Sequence, residues 1–85
     1  MAKIEIYSKD YCPYCKKAAD LLDKKGVEYT SYDITNDAEK QQEMATRKPG
    51  ARTVPQIFID DKGIGGCDDL YALDAKGDLD GLLGI

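Results

Sequence analysis

The stretch from Ile4 to Cys15 reads IEIYSKDYCPYC, and it places two thiols where a strand leads into a helix. Residues 4–7 alternate in polarity as a short buried strand should, and residues 8–11 form the loop that leaves it. Beyond the loop, apolar residues recur at helical spacing until Gly26, which stands where a helix C-terminal cap belongs. We therefore expect Cys12 to lie at the N-terminus of a helix.

A helix N-terminus favours the thiolate form of a cysteine, because unpaired backbone N–H groups and the positive end of the helix dipole face the sulfur. We therefore expect Cys12 to be acidic, and Pro13 to fit the first turn, where its missing N–H loses no partner. With a Brønsted slope of about 0.4–0.5, this acidity adds little to attack but makes Cys12 a faster leaving group. Cys15 lies one turn further on the same face and is more shielded. The pattern predicts Cys12 as the attacking thiol and Cys15 as the resolving thiol.

Two cysteines at this spacing can also form half of a zinc site. The chain contains no His and only one further cysteine, Cys67, so four soft ligands cannot be assembled within one molecule. We therefore favour redox chemistry, with no metal and no tightly bound cofactor.

Length and composition narrow the class of protein. Eighty-five residues are enough for one modest core, so we expect a single domain over residues 1–85. The chain has no signal-peptide pattern, no membrane-spanning stretch and no even set of cysteines for a secreted framework. A net charge of −4 argues against a nucleic-acid partner, although residues 1–25 carry +2 and residues 60–85 carry −5. We expect a cytoplasmic monomer that binds neither membranes nor nucleic acid.

The remaining elements follow from the same patterns. We predict strands at residues 27–34 and 56–59 and a very short strand around residue 64, with a turn at 60–63. We predict helices at residues 37–47 and from residue 67 to before Gly77, followed by a last helical turn over Leu79–Leu83. Asn36 and Glu39 are predicted as a near capping box, with Met44 and Ala45 facing inward. The order βαβαββα predicts an α/β fold, a four-stranded mixed sheet flanked by helices, with several loop ends near Cys12.

Three motifs at these separations resemble the dithiol glutaredoxins of bacterial type, along essentially the whole chain: CPYC at residues 12–15, Thr53-Val54-Pro55, and GGCDD at residues 65–69. The resemblance implies a thioredoxin fold and reduction of disulfides with glutathione as co-substrate. It also implies a cis peptide bond before Pro55, with the Val54 backbone offered to the cysteine moiety of glutathione. Implied partners are glutathionylated proteins and protein disulfides, with ribonucleotide reductase as an acceptor on family grounds.

The resemblance and the residue chemistry together predict ten glutathione-binding residues: Lys9, Tyr14, Arg52, Thr53, Val54, Pro55, Gln56, Gly66, Cys67 and Asp68. The backbone N–H groups of Cys67 and Asp68 can hold the γ-glutamyl carboxylate, and the Asp68 carboxylate can pair with the adjacent ammonium. Lys9 and Arg52 are candidates for the glycine carboxylate, with Gln56 as a neutral helper. Capping alone would also explain Asp68, and solvation alone would explain both cations.

We expect Cys12 alone to reduce protein–glutathione mixed disulfides, and Cys12 with Cys15 to reduce protein disulfides. Two alternatives stay open. One is a [2Fe–2S] cluster carrier, bridged between two chains by Cys12 and glutathione, against which the sequence Pro13-Tyr14 argues. The other is a thioredoxin-like electron donor reduced by a flavoprotein, against which the motif at residues 65–69 and Lys9 argue.

Overall fold

The computed structural model describes residues 2–85, so Met1, the first residue of the predicted domain, lies outside the described residues. The elements in chain order are β1 (Ile4–Ser8), α1 (Pro13–Lys24), β2 (Thr30–Asp33), α2 (Ala38–Arg47), β3 (Gln56–Ile59), β4 (Lys62–Gly65), α3 (Cys67–Ala75) and α4 (Leu79–Leu83). The strands form a sheet in the order β2-β1-β3-β4. β1 pairs parallel to β2, and β3 pairs antiparallel to β1 and β4. The predicted mixed sheet is confirmed.

Each face of the sheet is covered by helices. Ile4 and Ile6 of β1 belong to the larger hydrophobic cluster, which includes residues of α1, α3 and α4. Tyr7 belongs to a second cluster with Met44 of α2 and Phe58 of β3. All four residues of β3 are buried, because this strand lies inside the sheet and has helices over both faces.

The second strand is shorter than the predicted 27–34, because the end of α1 uses the residues before Thr30. Gly26 adopts φ +71° and its N–H donates to Asp23 O at 3.0 Å. The N–H of Val27 donates to Leu22 O at 3.5 Å, which completes a Schellman motif. Val27 is buried in the larger cluster as part of this helix cap, and pairing with β1 starts only at Thr30.

Two local predictions differ from the structure. The helix at 37–47 is capped by Asp37, whose carboxylate accepts the Lys40 N–H at 3.0 Å, so the predicted Asn36 cap is wrong. Asp37 directly precedes Ala38, the first residue of α2, so its carboxylate reaches a free N–H group of the first helical turn. The β3–β4 turn is also tighter than 60–63, since β4 already begins at Lys62. Asp60 and Asp61 both have positive φ, as a two-residue type I′ hairpin requires.

Arg47, the last residue of α2, is tied to the sheet by a buried ion pair. Its guanidinium donates to the two carboxylate oxygens of Glu5 at 2.9 and 3.0 Å, and to Tyr7 Oη at 2.9 Å. The hydrogen bond from Arg47 is the main reason that the pKa of Glu5 lies below its ordinary value. This pair fixes the point from which residues 48–55 leave the helix.

The three sequence motifs meet at one end of the strands, where β1 and β4 finish and β3 begins. β1 and β4 run in the same direction, because each is antiparallel to β3. The C-terminal end of β1 leads to residues 12–15, and that of β4 leads to residues 65–69. Both ends lie beside the N-terminal end of β3. Residues 53–55 immediately precede β3, so the topology confirms the predicted meeting of these loops.

Candidate active site

Cys12 is the N-cap residue of α1, as the sequence predicted. Its backbone is extended, with φ −97° and ψ 108°, and its carbonyl accepts the Lys16 N–H at 3.2 Å. Its Sγ accepts the backbone N–H of Cys15 at 3.2 Å, and its thiol donates to Val54 O over 3.6 Å. A half-buried sulfur that receives a helix N–H is placed to carry negative charge.

Cys15 lies in a very different environment from Cys12. The residue is 5% exposed, on the inner face of α1. Burial, with the neighbouring Cys12 sulfur as the next cause, raises the pKa of Cys15 to about 12. The motif therefore combines an accessible sulfur with a second one that is protonated at neutral pH.

The segment before β3 contains the Val54–Pro55 peptide bond, which is cis, as the family resemblance implied. Pro55 and Gln56 are buried, and Val54 packs against the cluster under α2. The Gln56 amide donates to Thr53 O at 3.0 Å. Within residues 2–85, Gln56 Oε1 is a buried acceptor without a hydrogen-bond donor.

The turn from β4 into α3 brings the backbone close to an acidic side chain. Gly65 has φ +115°, and a Cβ at this position would overlap the Asp69 carboxylate. Asp69 Oδ2 accepts the N–H of Gly66 at 2.9 Å and thereby caps α3. Asp68 is exposed, and the described residues offer its carboxylate no hydrogen bond or ion pair. Asp69 therefore serves the helix, and Asp68 is available to a ligand.

A groove of about 570 Å³ lies between these segments. Its walls consist of Tyr14, residues 48–56 and residues 65–69. Nine of the ten predicted glutathione-binding residues line it. The tenth, Lys9, lies in the loop beside Cys12, where its carbonyl accepts the Cys12 N–H at 3.3 Å, and it does not line the groove.

The groove also contains residues that the sequence analysis did not select. Lys48, Pro49, Gly50 and Ala51 line it together with Arg52. Pro49-Gly50 follows α2 and precedes Arg52, so its place in the loop that carries Arg52 is a signal that the sequence offers for this wall. Lys48 and Arg52 are therefore cationic residues of one wall, and Asp68 and Asp69 are acidic residues of the other. This arrangement suits an extended ligand with a carboxylate at one end and an ammonium at the other.

Cys67 lines the groove but is not built as a nucleophile. The residue is buried, and burial is the main reason that its pKa is raised, against an opposing effect of Lys17. Among the described residues, no three His, Cys, Asp or Glu side chains are grouped to hold a metal ion. In the same part of the chain, no helix has both the length and the apolar character needed to span a membrane.

Comparison with known proteins gives consistent matches. A family model described as Glutaredoxin matches residues 4–64. Glutaredoxin 3 of Escherichia coli is 58% identical over 83 residues, covering 98% of this chain and 99% of that protein. A probable glutaredoxin of Synechocystis is 57% identical over 82 residues, covering 96% and 93%. The crystal structure of a buckwheat glutaredoxin–glutathione complex matches with a TM-score of 0.87 and 32% identity, covering 98% of this chain and 77% of that chain.

Proposed function

The chain belongs to the glutaredoxin family and is a glutathione-dependent thiol–disulfide oxidoreductase with a thioredoxin fold, and we propose that Cys12 carries the exchange while Cys15 resolves it. One contrast carries this proposal. The Cys12 sulfur is half-buried and accepts a helix N–H at 3.2 Å, whereas Cys15 is buried and its pKa is raised to about 12. Of these two cysteines, only Cys12 combines access from solvent with a backbone N–H hydrogen bond to its sulfur.

With a glutathionylated protein, Cys12 acts alone. Its thiolate attacks the glutathione sulfur, the protein thiolate leaves and takes a proton from solvent, and a Cys12–glutathione disulfide remains. A second glutathione thiolate then attacks the glutathione sulfur of this adduct. Oxidised glutathione leaves, and the Cys12 thiolate is recovered with the Cys15 N–H again facing it.

With a protein disulfide, Cys15 is needed as well. Cys12 attacks one substrate sulfur and forms a mixed disulfide with the substrate. Cys15 then loses its proton, its thiolate attacks Cys12 Sγ, the bond from Cys12 Sγ to the substrate sulfur breaks, and the departing substrate thiolate takes up a proton. In the reduced protein the raised pKa of Cys15 keeps its thiolate a minor species, so Cys15 reacts after Cys12. Two glutathiones reduce the resulting Cys12–Cys15 disulfide, which closes the cycle.

The groove supports a placement for glutathione along its length. We assign the Val54 backbone to the cysteine moiety, which brings its sulfur beside Cys12, since Val54 O lies 3.6 Å from Cys12 Sγ. The N–H groups of Cys67 and Asp68 and the Asp68 carboxylate receive the γ-glutamyl end, with Gly66 allowing close approach. Arg52, with Gln56, receives the glycine carboxylate.

Five further residues complete the proposed contacts. Tyr14, Thr53 and Pro55 form walls of the groove. Lys48 adds a second cation near Arg52, and Lys9 reaches glutathione only from the rim beside Cys12. The buckwheat protein is named as a complex with glutathione, which supports the choice of ligand.

The wider setting is also part of the proposal. We propose that residues 1–85 act as one domain and as a monomer. The cytoplasm fits, because turnover requires a steady supply of reduced glutathione. Substrates are glutathionylated proteins and protein disulfides, with ribonucleotide reductase as one acceptor. The family match and the named relatives favour neither the cluster carrier nor the flavoprotein-reduced donor.

The first test is a coupled assay. The reduced protein is mixed with a glutathione mixed disulfide, reduced glutathione, glutathione reductase and NADPH, and the loss of NADPH is followed. We expect Cys15→Ser to keep this activity and Cys12→Ser to lose it, while both lose the reduction of a protein disulfide. Equal activity of the two variants on the mixed disulfide would contradict the assigned roles.

A further inference from the structure

Two exposed tyrosines flank Cys12, and only one of them belongs to the glutathione groove. Tyr14 is 59% exposed and lines the groove, whereas Tyr11 is 72% exposed and lies outside it. Among the described residues, Tyr11 has no hydrogen bond and no ring partner. Tyrosine at such a position offers a large, rigid contact area at low entropic cost, which is why it is frequent in binding hot spots.

Positive charge accompanies Tyr11. Residues 9–17 contain three lysines and one aspartate, a net charge of +2 in a chain of net charge −4. Lys16 is exposed, follows Cys12 by one helical turn, and has no ion-pair partner among the described residues. At the far end of α1, by contrast, Lys25 is neutralised by Asp74 and Asp80, each at 2.7 Å.

Helix stability does not explain the lysines near Cys12. The positive end of the helix dipole disfavours cations near the start of α1. A residue choice that works against local stability indicates a use elsewhere. The side chain of Lys16 also leans toward the N-terminus of α1, and so toward Cys12.

The geometry of the exchange reaction limits where the substrate polypeptide can lie. The three sulfurs of a thiol–disulfide exchange are nearly in line, so the leaving group departs on the side away from the attacking sulfur. When glutathione occupies the groove, the polypeptide that leaves it must lie outside the groove. Asp10, Tyr11, Pro13 and Lys16 are exposed around Cys12 and do not line the groove. Among them Tyr11 is the large aromatic side chain and Lys16 is the cation.

We propose that Tyr11 and Lys16 form a docking surface for the polypeptide part of the substrate, and that the preferred substrate carries acidic residues next to its disulfide cysteine. This inference rests on the proposed function, because it assumes that Cys12 attacks a glutathionylated polypeptide. Lys16 supplies the charge complementarity and Tyr11 supplies an apolar contact.

The test compares two glutathionylated peptides that differ only in the residues flanking their cysteine, acidic in one and basic in the other. Each kcat/KM is divided by that for the mixed disulfide of glutathione and 2-mercaptoethanol, so that any change at Cys12 itself cancels. In Lys16→Glu we expect the normalised value for the acidic peptide to fall about five- to tenfold and that for the basic peptide to rise. In Tyr11→Ser both normalised values should fall.

Lys24→Glu is the matched control, because Lys24 is an exposed lysine at the other end of the same helix. The preference for the acidic peptide should persist in this variant and should weaken with rising salt. An unchanged peptide preference in Lys16→Glu, or an equal change in Lys24→Glu, would overturn the docking surface. Loss of activity of the unsubstituted protein on the small mixed disulfide would instead overturn the proposed function.

Discussion

In the folded, reduced protein, a short pulse of iodoacetamide at pH 7 should label Cys15 far more slowly than in the urea-unfolded chain. With a pKa of about 12, the thiolate fraction of Cys15 at pH 7 is about 10⁻⁵, against about 3% for an ordinary cysteine. A Brønsted slope of about 0.4–0.5 makes the less acidic thiolate about 25- to 55-fold more nucleophilic. The two factors leave Cys15 about 50- to 120-fold slower than in the unfolded chain.

Mass spectrometry of the digested protein gives the initial labelling rate of each cysteine separately. Cys12, half-buried and facing the reagent, should be labelled first. Because the pKa of Cys15 is raised, its thiolate stays a minor species below about pH 12, and its rate should keep rising by about tenfold per pH unit between pH 7 and 10. A folded-state rate within about fivefold of the unfolded-state rate would show that burial does not hold the Cys15 proton, and the division of roles would be wrong.

Three further predictions concern the scaffold of the site. Arg47→Met leaves the carboxylate of the 4%-exposed Glu5 with only the Tyr32 hydroxyl donating to it, at 2.9 Å, and should lower the free energy of unfolding in urea by about 3–5 kcal/mol. Lys76→Met, which removes one partner of an exposed pair, should change it by less than about 1 kcal/mol, and similar losses in the two variants would contradict the buried-pair argument. Arg47 lowers the pKa of folded Glu5, so the stability that the ion pair adds is present above the unfolded pKa of about 4.3 and is lost as the pH falls through the lower folded value. In Glu5→Gln, the urea concentration at the midpoint of unfolding should therefore depend less on pH in this acid range than in the unsubstituted protein. Parallel pH profiles of the two proteins would refute this. Gly65→Ala should lower the free energy of unfolding by about 1–3 kcal/mol and should raise the KM for glutathione more than it changes kcat, because the new methyl group overlaps the Asp69 carboxylate beside the groove. An unchanged KM would show that this turn does not contribute to glutathione binding.

Some of the fold follows from short-range patterns in the sequence. The strand–loop–helix unit around Cys12 was predictable because each of its signals lies within a few residues: alternation in β1, proline at the first helical position, and Gly26 after the last turn. The errors are equally local. Asn36 and Asp37 are both good caps, and only the backbone path decides between them.

Other features depend on contacts between residues that are distant in the chain. The ion pair of Arg47 with Glu5 spans 42 positions, and the contact of Cys12 Sγ with Val54 O spans the same number. Neither residue of such a pair carries a sequence pattern that names its partner. The groove wall formed by Lys48 was missed for this reason, since a lysine after a helix is ordinarily solvated.

Local sequence patterns are sufficient to predict that Cys12 caps a helix and that three motifs flank the strands of a mixed sheet, because hydrophobic period, capping and turn residues act over a few positions. The tertiary structure was needed to show how completely Cys15 is buried, which cationic residues line the groove and that Tyr11 lies outside it. Burial and charge proximity depend on segments that the sheet topology brings together, and this is why a pKa of about 12 at Cys15 has no counterpart in the local sequence.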